Sequence, residues 1–141
     1  MIPDRYKEII EILNGREDKS FIEGATEEQI SNFEKENKIK LPSQYREWLL
    51  FSDGGEFYIP AGPQMYGVAH KPLINTNLDN RPDDTYIVIG VLSFGDPILF
   101  KKDSEKIYIY NHEDGTIAED ETYENFYSFL KDLPEIVGDE D

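Results

Sequence analysis

The sequence has no cysteine and only two histidines, His70 and His112, among its 141 residues. Disulfides, thiolate metal sites and cysteine nucleophiles are therefore excluded. A chain of this length suits one domain and buries enough surface to fold without a covalent crosslink. We expect a single domain over residues 1–141, with a frayed acidic tail at 138–141.

Long apolar runs are also missing from the sequence. No segment approaches the roughly 20 apolar residues that a membrane-spanning helix needs. Residues 1–6 lack the apolar run of a signal peptide. Together with the absence of cysteine, which suits a reducing compartment, these features predict a cytoplasmic protein with no membrane partner.

The motifs of common enzyme classes are absent as well. The sequence contains no glycine-rich phosphate or dinucleotide loop, no nucleophile elbow and no zinc-protease motif. The segment His112-Glu113-Asp114 offers one imidazole beside carboxylates, whereas a zinc site usually needs three protein ligands. We predict a protein without catalytic residues, metal or cofactor. A hydrolase that uses His112 and neighbouring carboxylates is the enzymatic alternative.

The charged residues of the sequence are predominantly acidic. Thirty Asp and Glu oppose fourteen Lys and Arg, which gives a net charge of −16. The excess is large near the end of the chain, where residues 111–141 carry eleven acids and one base, Lys131. Such a field repels nucleic acid and speeds encounters with basic proteins. We expect a basic protein partner and no direct nucleic-acid binding; the alternative is that the charge serves solubility alone.

Helical patterns occupy the first part of the chain. Apolar residues within 6–13 repeat at helical spacing, and Asn14-Gly15 provides a stop. A second helix is expected from Thr26, because Gln29 three residues later completes a capping box. A third helix is expected from about Pro42 to the C-terminal cap Gly54-Gly55.

A final helix is expected near the end of the chain. It should begin near Thr122, with Tyr123 and Phe126 in its apolar stripe, and stop at Pro134. Between the third and last helices the pattern changes to alternation and short apolar runs, which are typical of strands. The candidate strands are residues 56–59, 64–68, 86–92, 97–100, 107–110 and 116–118.

Short connections between most of these strands require antiparallel neighbours, because a parallel crossover needs a dozen or more residues. The sequence therefore predicts an α+β fold with N-terminal helices, a central antiparallel meander sheet and one C-terminal helix. One face of the sheet should pack against the helices. The other face is then available for a partner.

An ordered set of short motifs runs through this pattern. Its members, in chain order, are Gly24-Ala25-Thr26-Glu27-Glu28-Gln29-Ile30, Leu41-Pro42-x-x-Tyr45-x-x-Trp48-Leu49, Asp53-Gly54-Gly55, Ile89-Gly90, Phe94-Gly95-Asp96 with Ile98, Ile107-Tyr108, His112-Glu113 and Phe126-x-x-Phe129-Leu130. The set resembles the SUKH superfamily, which includes the yeast cell-wall assembly regulator family. The resemblance covers about residues 21–131.

The resemblance implies binding rather than catalysis. Bacterial members of the superfamily are typically immunity proteins that neutralise polymorphic toxins, many of them nucleases, whereas eukaryotic members are regulators or scaffolds. A nuclease is basic where it holds phosphate, so an acidic inhibitor complements it. We therefore predict a monomeric immunity protein that neutralises a basic toxin, and we expect this toxin to be a nuclease. The alternative is a regulatory scaffold without a toxin partner.

Candidate partner-binding residues are acids and aromatics outside the motif-bearing core. Along a strand, Tyr108 and Tyr110 share one face, and Ile107 and Ile109 share the other. We expect the isoleucines to face the helices and the tyrosines to lie on the open face of the sheet. The predicted partner-binding residues are Glu56, Tyr58, Tyr66, Asp79, Asp83, Asp84, Tyr108, Tyr110, Glu113 and Asp114.

Overall fold

The computed structural model contains an antiparallel sheet with helices packed on one of its faces. This architecture confirms the predicted α+β class. Two helices precede most of the sheet and one follows it. The strands are arranged in the sheet in their chain order, as in a meander. The structure describes residues 7–8, 11, 15, 19–57, 62–70, 73–74, 81, 85–92, 95–111 and 113–137.

Seven strands occur within the described residues, each paired antiparallel with the next. The first has two residues, too few for an alternating pattern, and the sequence did not predict it. The strands are β1 (Lys19–Ser20), β2 (Gly55–Phe57), β3 (Gln64–Met65), β4 (Tyr86–Val91), β5 (Pro97–Lys101), β6 (Ile107–Asn111) and β7 (Thr116–Tyr123).

Helix α1 (Glu27–Asn37) begins at the predicted capping box. Thr26 Oγ1 accepts a hydrogen bond from the backbone N–H of Gln29 at 3.1 Å. Gln29 Oε1 accepts one from the backbone N–H of Thr26 at 2.9 Å. These bonds satisfy N–H groups that have no partner within the helix. Ala25 and Ile30, on either side of the cap, are both buried.

Helix α2 (Ser43–Phe51) starts beside Pro42, as predicted, but its C-terminal end differs from the expectation. The capping residue is Ser52, whose backbone is extended at φ −145°. Gly54 and Gly55, with φ of 100° and 104°, follow this cap and form the turn into β2. Their positive φ therefore serves the chain reversal after the helix, not the helix cap.

The helices and one face of the sheet enclose an aromatic-rich core, which we call the helix-side core. Tyr45 and Phe126 pack edge to face there, with ring centroids 4.9 Å apart. The Trp48 indole N–H donates to the carbonyl oxygen of Gly54 at 2.9 Å, so its polar atom is satisfied in the interior. The sheet residues of this core include Met65, Ile87, Ile89, Ile98, Phe100, Ile107 and Ile109.

The last helix, α3 (Phe126–Val137), begins later than predicted. Thr122 and Tyr123 instead end β7 and pair with β6, which suits their β-branched and aromatic side chains. The Asn125 side chain accepts a hydrogen bond from the first turn of the helix. Pro134 was wrongly predicted to stop the helix, which continues to Val137. A proline removes only one backbone donor, and the residues before it are firmly packed.

The predicted helix at residues 6–13 lies largely outside the described residues. Lys7, Glu8 and Glu11 are described there and have helical backbone. Among the residues described throughout the chain, no helix has the length and apolar character needed to cross a membrane.

Candidate partner-binding surface

The face of the sheet opposite the helices, here the second face, carries the predicted tyrosines of β6. Ile107 and Ile109 are 0% and 1% exposed in the helix-side core. Tyr108 and Tyr110 alternate with them and are half-buried. The predicted division of β6 into an isoleucine face and a tyrosine face is therefore confirmed.

Tyr86 joins these tyrosines, although the sequence did not single it out as a site residue. Its ring meets that of Tyr108 edge to face, with centroids 5.4 Å apart. Lys101, its cross-strand partner, places Nζ 5.7 Å from the Tyr86 ring centroid. Tyr86 and Tyr108 lie on β4 and β6, which are separated by β5. Their contact therefore depends on the register of both the β4–β5 and the β5–β6 pairings. We call Tyr86, Tyr108 and Tyr110 the tyrosine cluster.

The second face is not open along its whole length, which corrects the expectation from the sequence. Val88 and Leu99 pair across β4 and β5 on this face. They are 3% and 0% exposed, yet neither belongs to the helix-side core. The middle of the second face is therefore covered. The half-buried tyrosine cluster, not the whole face, provides the aromatic surface available to a partner.

The turn between β6 and β7 places acidic side chains beside the tyrosine cluster. Asn111 Oδ1 accepts hydrogen bonds from the backbone N–H groups of Glu113 at 2.9 Å and Asp114 at 3.1 Å. This side chain fixes the turn while both acidic residues remain exposed. A Cβ at Gly115 would lie 3.5 Å from the Tyr110 hydroxyl, so that ring reaches the same turn.

Two other predicted site residues lie away from this turn. Glu56 is half-buried on β2, and the strand register places it on the second face. However, β2 lies four strands away from β6 in the sheet, about 19 Å at normal strand spacing. Tyr66 packs against the helix-side core, and burial raises the pKa of its phenol. The structure does not unite these residues with the tyrosine cluster, and their partner-binding role stays a prediction.

The remaining predicted site residues lie outside the described part of the chain. They are Tyr58, Asp79, Asp83 and Asp84. His112, the residue of the hydrolase alternative, is also outside it. The described acidic rim of the site is therefore formed by Glu113 and Asp114.

Asp53 forms a second polar site, which the sequence did not reveal. Its side chain is 0% exposed. Its Oδ1 accepts from Val68 N at 2.7 Å, and its Oδ2 accepts from Ala69 N at 2.8 Å and His70 N at 2.6 Å. A Cβ at Gly67 would lie 2.4 Å from the Asp53 carbonyl oxygen, so glycine permits the close approach. We call Asp53 and residues 67–70 the Asp53 clamp.

The imidazole of His70 completes this clamp. Its Nδ1 lies 2.9 Å from Asp53 Oδ2, while Nε2 lies 4.0 Å from the exposed carboxylate of Glu23. Burial, reinforced by the charge of Asp53, raises the pKa of Tyr45 well above its usual value. Tyr45 donates its hydroxyl to the Tyr66 carbonyl at 2.5 Å. The clamp thus connects the end of α2 to the segment after β3.

Neither polar site has the composition of a metal centre. Within the described residues, no group of three or more His, Asp or Glu side chains is arranged to hold an ion. The Asp53 carboxylate already accepts bonds from three backbone N–H groups and contacts one imidazole. These contacts satisfy the hydrogen-bonding capacity of a buried carboxylate, as a structural role requires.

Comparison with known proteins places these features in a family. No curated protein matches the chain. The model of the SMI1 / KNR4 family (SUKH-1) matches residues 24–132, close to the range expected from the motifs. This match includes α1, α2, the Asp53 clamp, the tyrosine cluster and the start of α3. Since it spans well over half of the sequence, the chain belongs to the SMI1 / KNR4 family (SUKH-1).

Proposed function

We propose that this protein is a cytoplasmic immunity protein that binds and neutralises a basic toxin. The observation that supports the proposal is the tyrosine cluster beside an exposed acidic turn. Tyr110 reaches the turn that exposes Glu113 and Asp114. Aromatic anchors next to a charged rim are the usual composition of a strong protein interface.

The charge of the chain favours a basic partner. At −16, its field steers a basic protein toward the surface and repels a competing acidic one. The tyrosines then supply rigid apolar area, with few rotatable bonds to order on binding. A toxin that binds phosphate, such as a nuclease, exposes the positive surface that this arrangement complements.

Inhibition in this proposal occurs by occupation of the toxin surface. A stable interface of this kind buries about 800 Å² on each partner, which is more than the tyrosine cluster alone supplies. The contact must therefore extend from the cluster across the acidic turn. One monomer suffices for one toxin, and the mechanism requires no metal, cofactor or catalytic residue.

The proposal is tested with the gene immediately upstream. We expect it to encode a large secreted protein with a variable C-terminal toxin domain. Co-expression of that domain with this protein should restore growth of a bacterial host, and calorimetry should show a one-to-one complex. A regulatory scaffold would instead leave the host unprotected and show no binding to the toxin domain.

His112→Ala separates inhibition from the hydrolase alternative. If the protein acts by binding, this variant should protect the host within a few-fold of the unaltered protein. Purified protein should also contain no stoichiometric metal. Turnover of the toxin or its substrate that disappears in His112→Ala would contradict the proposal, as would one equivalent of bound metal.

A further inference from the structure

A basic concavity lies between the end of α1 and the turn that joins β5 to β6. Its volume is about 290 Å³. Three of its six lining residues are lysines, although acids outnumber bases by thirty to fourteen in the chain. The lining residues are Glu34, Lys38, Ile39, Lys40, Lys102 and Asp103.

Stabilisation of the helix accounts for only part of this positive charge. Lysines near a helix C-terminus interact favourably with the helix dipole, which explains Lys38 and its neighbours at the end of α1. Lys102 comes from a hairpin turn more than sixty residues later in the chain. Two separate segments therefore bring lysines to one concavity, and a helix dipole explains only one of them.

The nearby carboxylates are held by other groups. Glu34 Oε2 accepts from Leu41 N at 2.7 Å, and Glu34 Oε1 lies 3.3 Å from Arg46 Nε. Glu105, in the same hairpin turn as Lys102, accepts from both the backbone N–H and the hydroxyl of Ser43 at 2.9 Å. These acids are oriented toward α2 and its N-terminus, which leaves the lysines of the concavity less neutralised.

The lysines themselves make no ion pair within the described residues. No described carboxylate lies within 4.0 Å of the Nζ atoms of Lys38, Lys40 or Lys102. Asp103 lines the same concavity without such a contact. The lining therefore has three cationic groups against one carboxylate that is not already engaged.

The backbone on both sides of the concavity is also unusual. Lys38 and Asp103 have φ of 55° and 64°, and they are the non-glycine residues with positive φ in the described chain. This region favours glycine, so a lysine adopts it at a cost. At Lys38 the positive φ forms the C-cap of α1, where its backbone N–H bonds to the carbonyl oxygens of Glu34 and Lys35. A glycine there would serve the same cap, so the cap does not require the lysine side chain.

We propose that this concavity binds a small polyanion that carries two or more phosphate groups. Lysine acts as a flexible point charge that suits phosphate oxygens from several directions, whereas planar carboxylate recognition favours arginine. The volume of about 290 Å³ is just below the roughly 300–1,000 Å³ found for ligand sites, which limits the ligand to a small molecule. Salt screens charges beyond a Debye length of about 8 Å, which weakens repulsion of the ligand by acids farther from the concavity.

Calorimetric titration of the full chain with pyrophosphate tests the site directly. We expect saturable binding of one pyrophosphate, weakened at least about fivefold by Lys38→Gln and by Lys102→Gln, the effect of losing one charge near a phosphate in water. The matched control is Lys106→Gln, which removes an exposed charge of the same turn outside the lining. It should change the affinity less than twofold. No saturable binding, or equal weakening by all three variants, would overturn the proposal.

A second variant separates ligand binding from folding. Lys38→Gly relieves the positive φ, so the thermal midpoint should rise by a few degrees while pyrophosphate binding weakens. Unchanged pyrophosphate binding in this more stable variant would contradict the assignment. Titrations with ADP and adenosine identify the source of the phosphates. ADP that binds more tightly than pyrophosphate indicates a nucleotide, equal affinity indicates the diphosphate alone, and binding of adenosine alone would refute recognition through phosphate.

Discussion

The fold uses acidic side chains in two opposite ways, in the Asp53 clamp and in the turn between β6 and β7. Asp53 is fully buried and accepts hydrogen bonds from three backbone N–H groups. Glu113 and Asp114 are exposed, and only their backbone is fixed, by Asn111. Burial, not the sign of charge, therefore separates a carboxylate that holds the fold from one that stays exposed to solvent.

Asp53→Ala should produce the largest effect. It leaves the N–H groups of residues 68–70 without their acceptor, so the free energy of unfolding should fall by about 3–5 kcal/mol. Urea denaturation measures this loss. Asp53→Asn, which keeps one acceptor oxygen, should lose less. A loss below about 1 kcal/mol in Asp53→Ala would show that the clamp does not hold this part of the fold.

Tyr108→Ala should give the reverse pattern, with a large effect on binding and a small one on folding. Removing an aromatic anchor typically weakens a complex by about 2 kcal/mol, roughly 30-fold, mostly through faster dissociation. Surface plasmon resonance with the upstream toxin domain measures the rate. Tyr123→Phe, on β7, is the control and should leave it unchanged. Unaltered dissociation in Tyr108→Ala would place the interface away from the tyrosine cluster.

Alkaline pH should reveal the raised pKa of Tyr45. Its pKa is raised in the folded state, chiefly by burial and then by Asp53. The resulting stability is present below pH 10, the usual tyrosine value, and is lost as pH rises above it, because the unfolded chain ionises first. At pH 11 the loss should reach about 1.4 kcal/mol.

Tyr45→Phe provides the control for this pH dependence. At neutral pH it should be less stable by about 1 kcal/mol, because the hydrogen bond to the Tyr66 carbonyl is lost. Its stability should then fall less steeply above pH 10, so the two unfolding curves converge. Parallel stability profiles for the two proteins would contradict a raised pKa at Tyr45.

Local sequence rules predicted those features that depend on neighbouring residues. The capping box of Thr26 and Gln29 needs only a spacing of three, and it forms as expected. The alternation of Ile109 with Tyr108 and Tyr110 is equally local. Thr122 and Tyr123 show the limit of such rules. The spacing of apolar residues predicted that both would lie in a helix, but pairing with β6 makes them part of a strand.

Features that depend on distant contacts could not be predicted in this way. The Asp53 clamp joins residues fifteen to seventeen positions apart through a loop whose path the sequence does not specify. The Tyr86–Tyr108 contact requires the register of two strand pairings, including the bulge between Val88 and Gly90. An aspartate before two glycines suggested a helix end, and only the fold shows its three backbone donors.

Reversing the exposed acids should have the smallest effect of these changes, and it tests the other half of the comparison. Glu113→Lys with Asp114→Lys changes the local charge by four units without removing any buried contact. Rim charges act mainly through long-range attraction, so association with the basic toxin domain should slow several-fold at low salt while dissociation changes little. Stopped-flow measurements at two ionic strengths should show the difference shrinking as salt increases. Glu28→Lys with Glu36→Lys, on exposed positions of α1, is the matched control, because it alters the net charge equally on another element. If both pairs slow association to the same extent, net charge alone steers the toxin, and the acidic turn has no special part in its recognition.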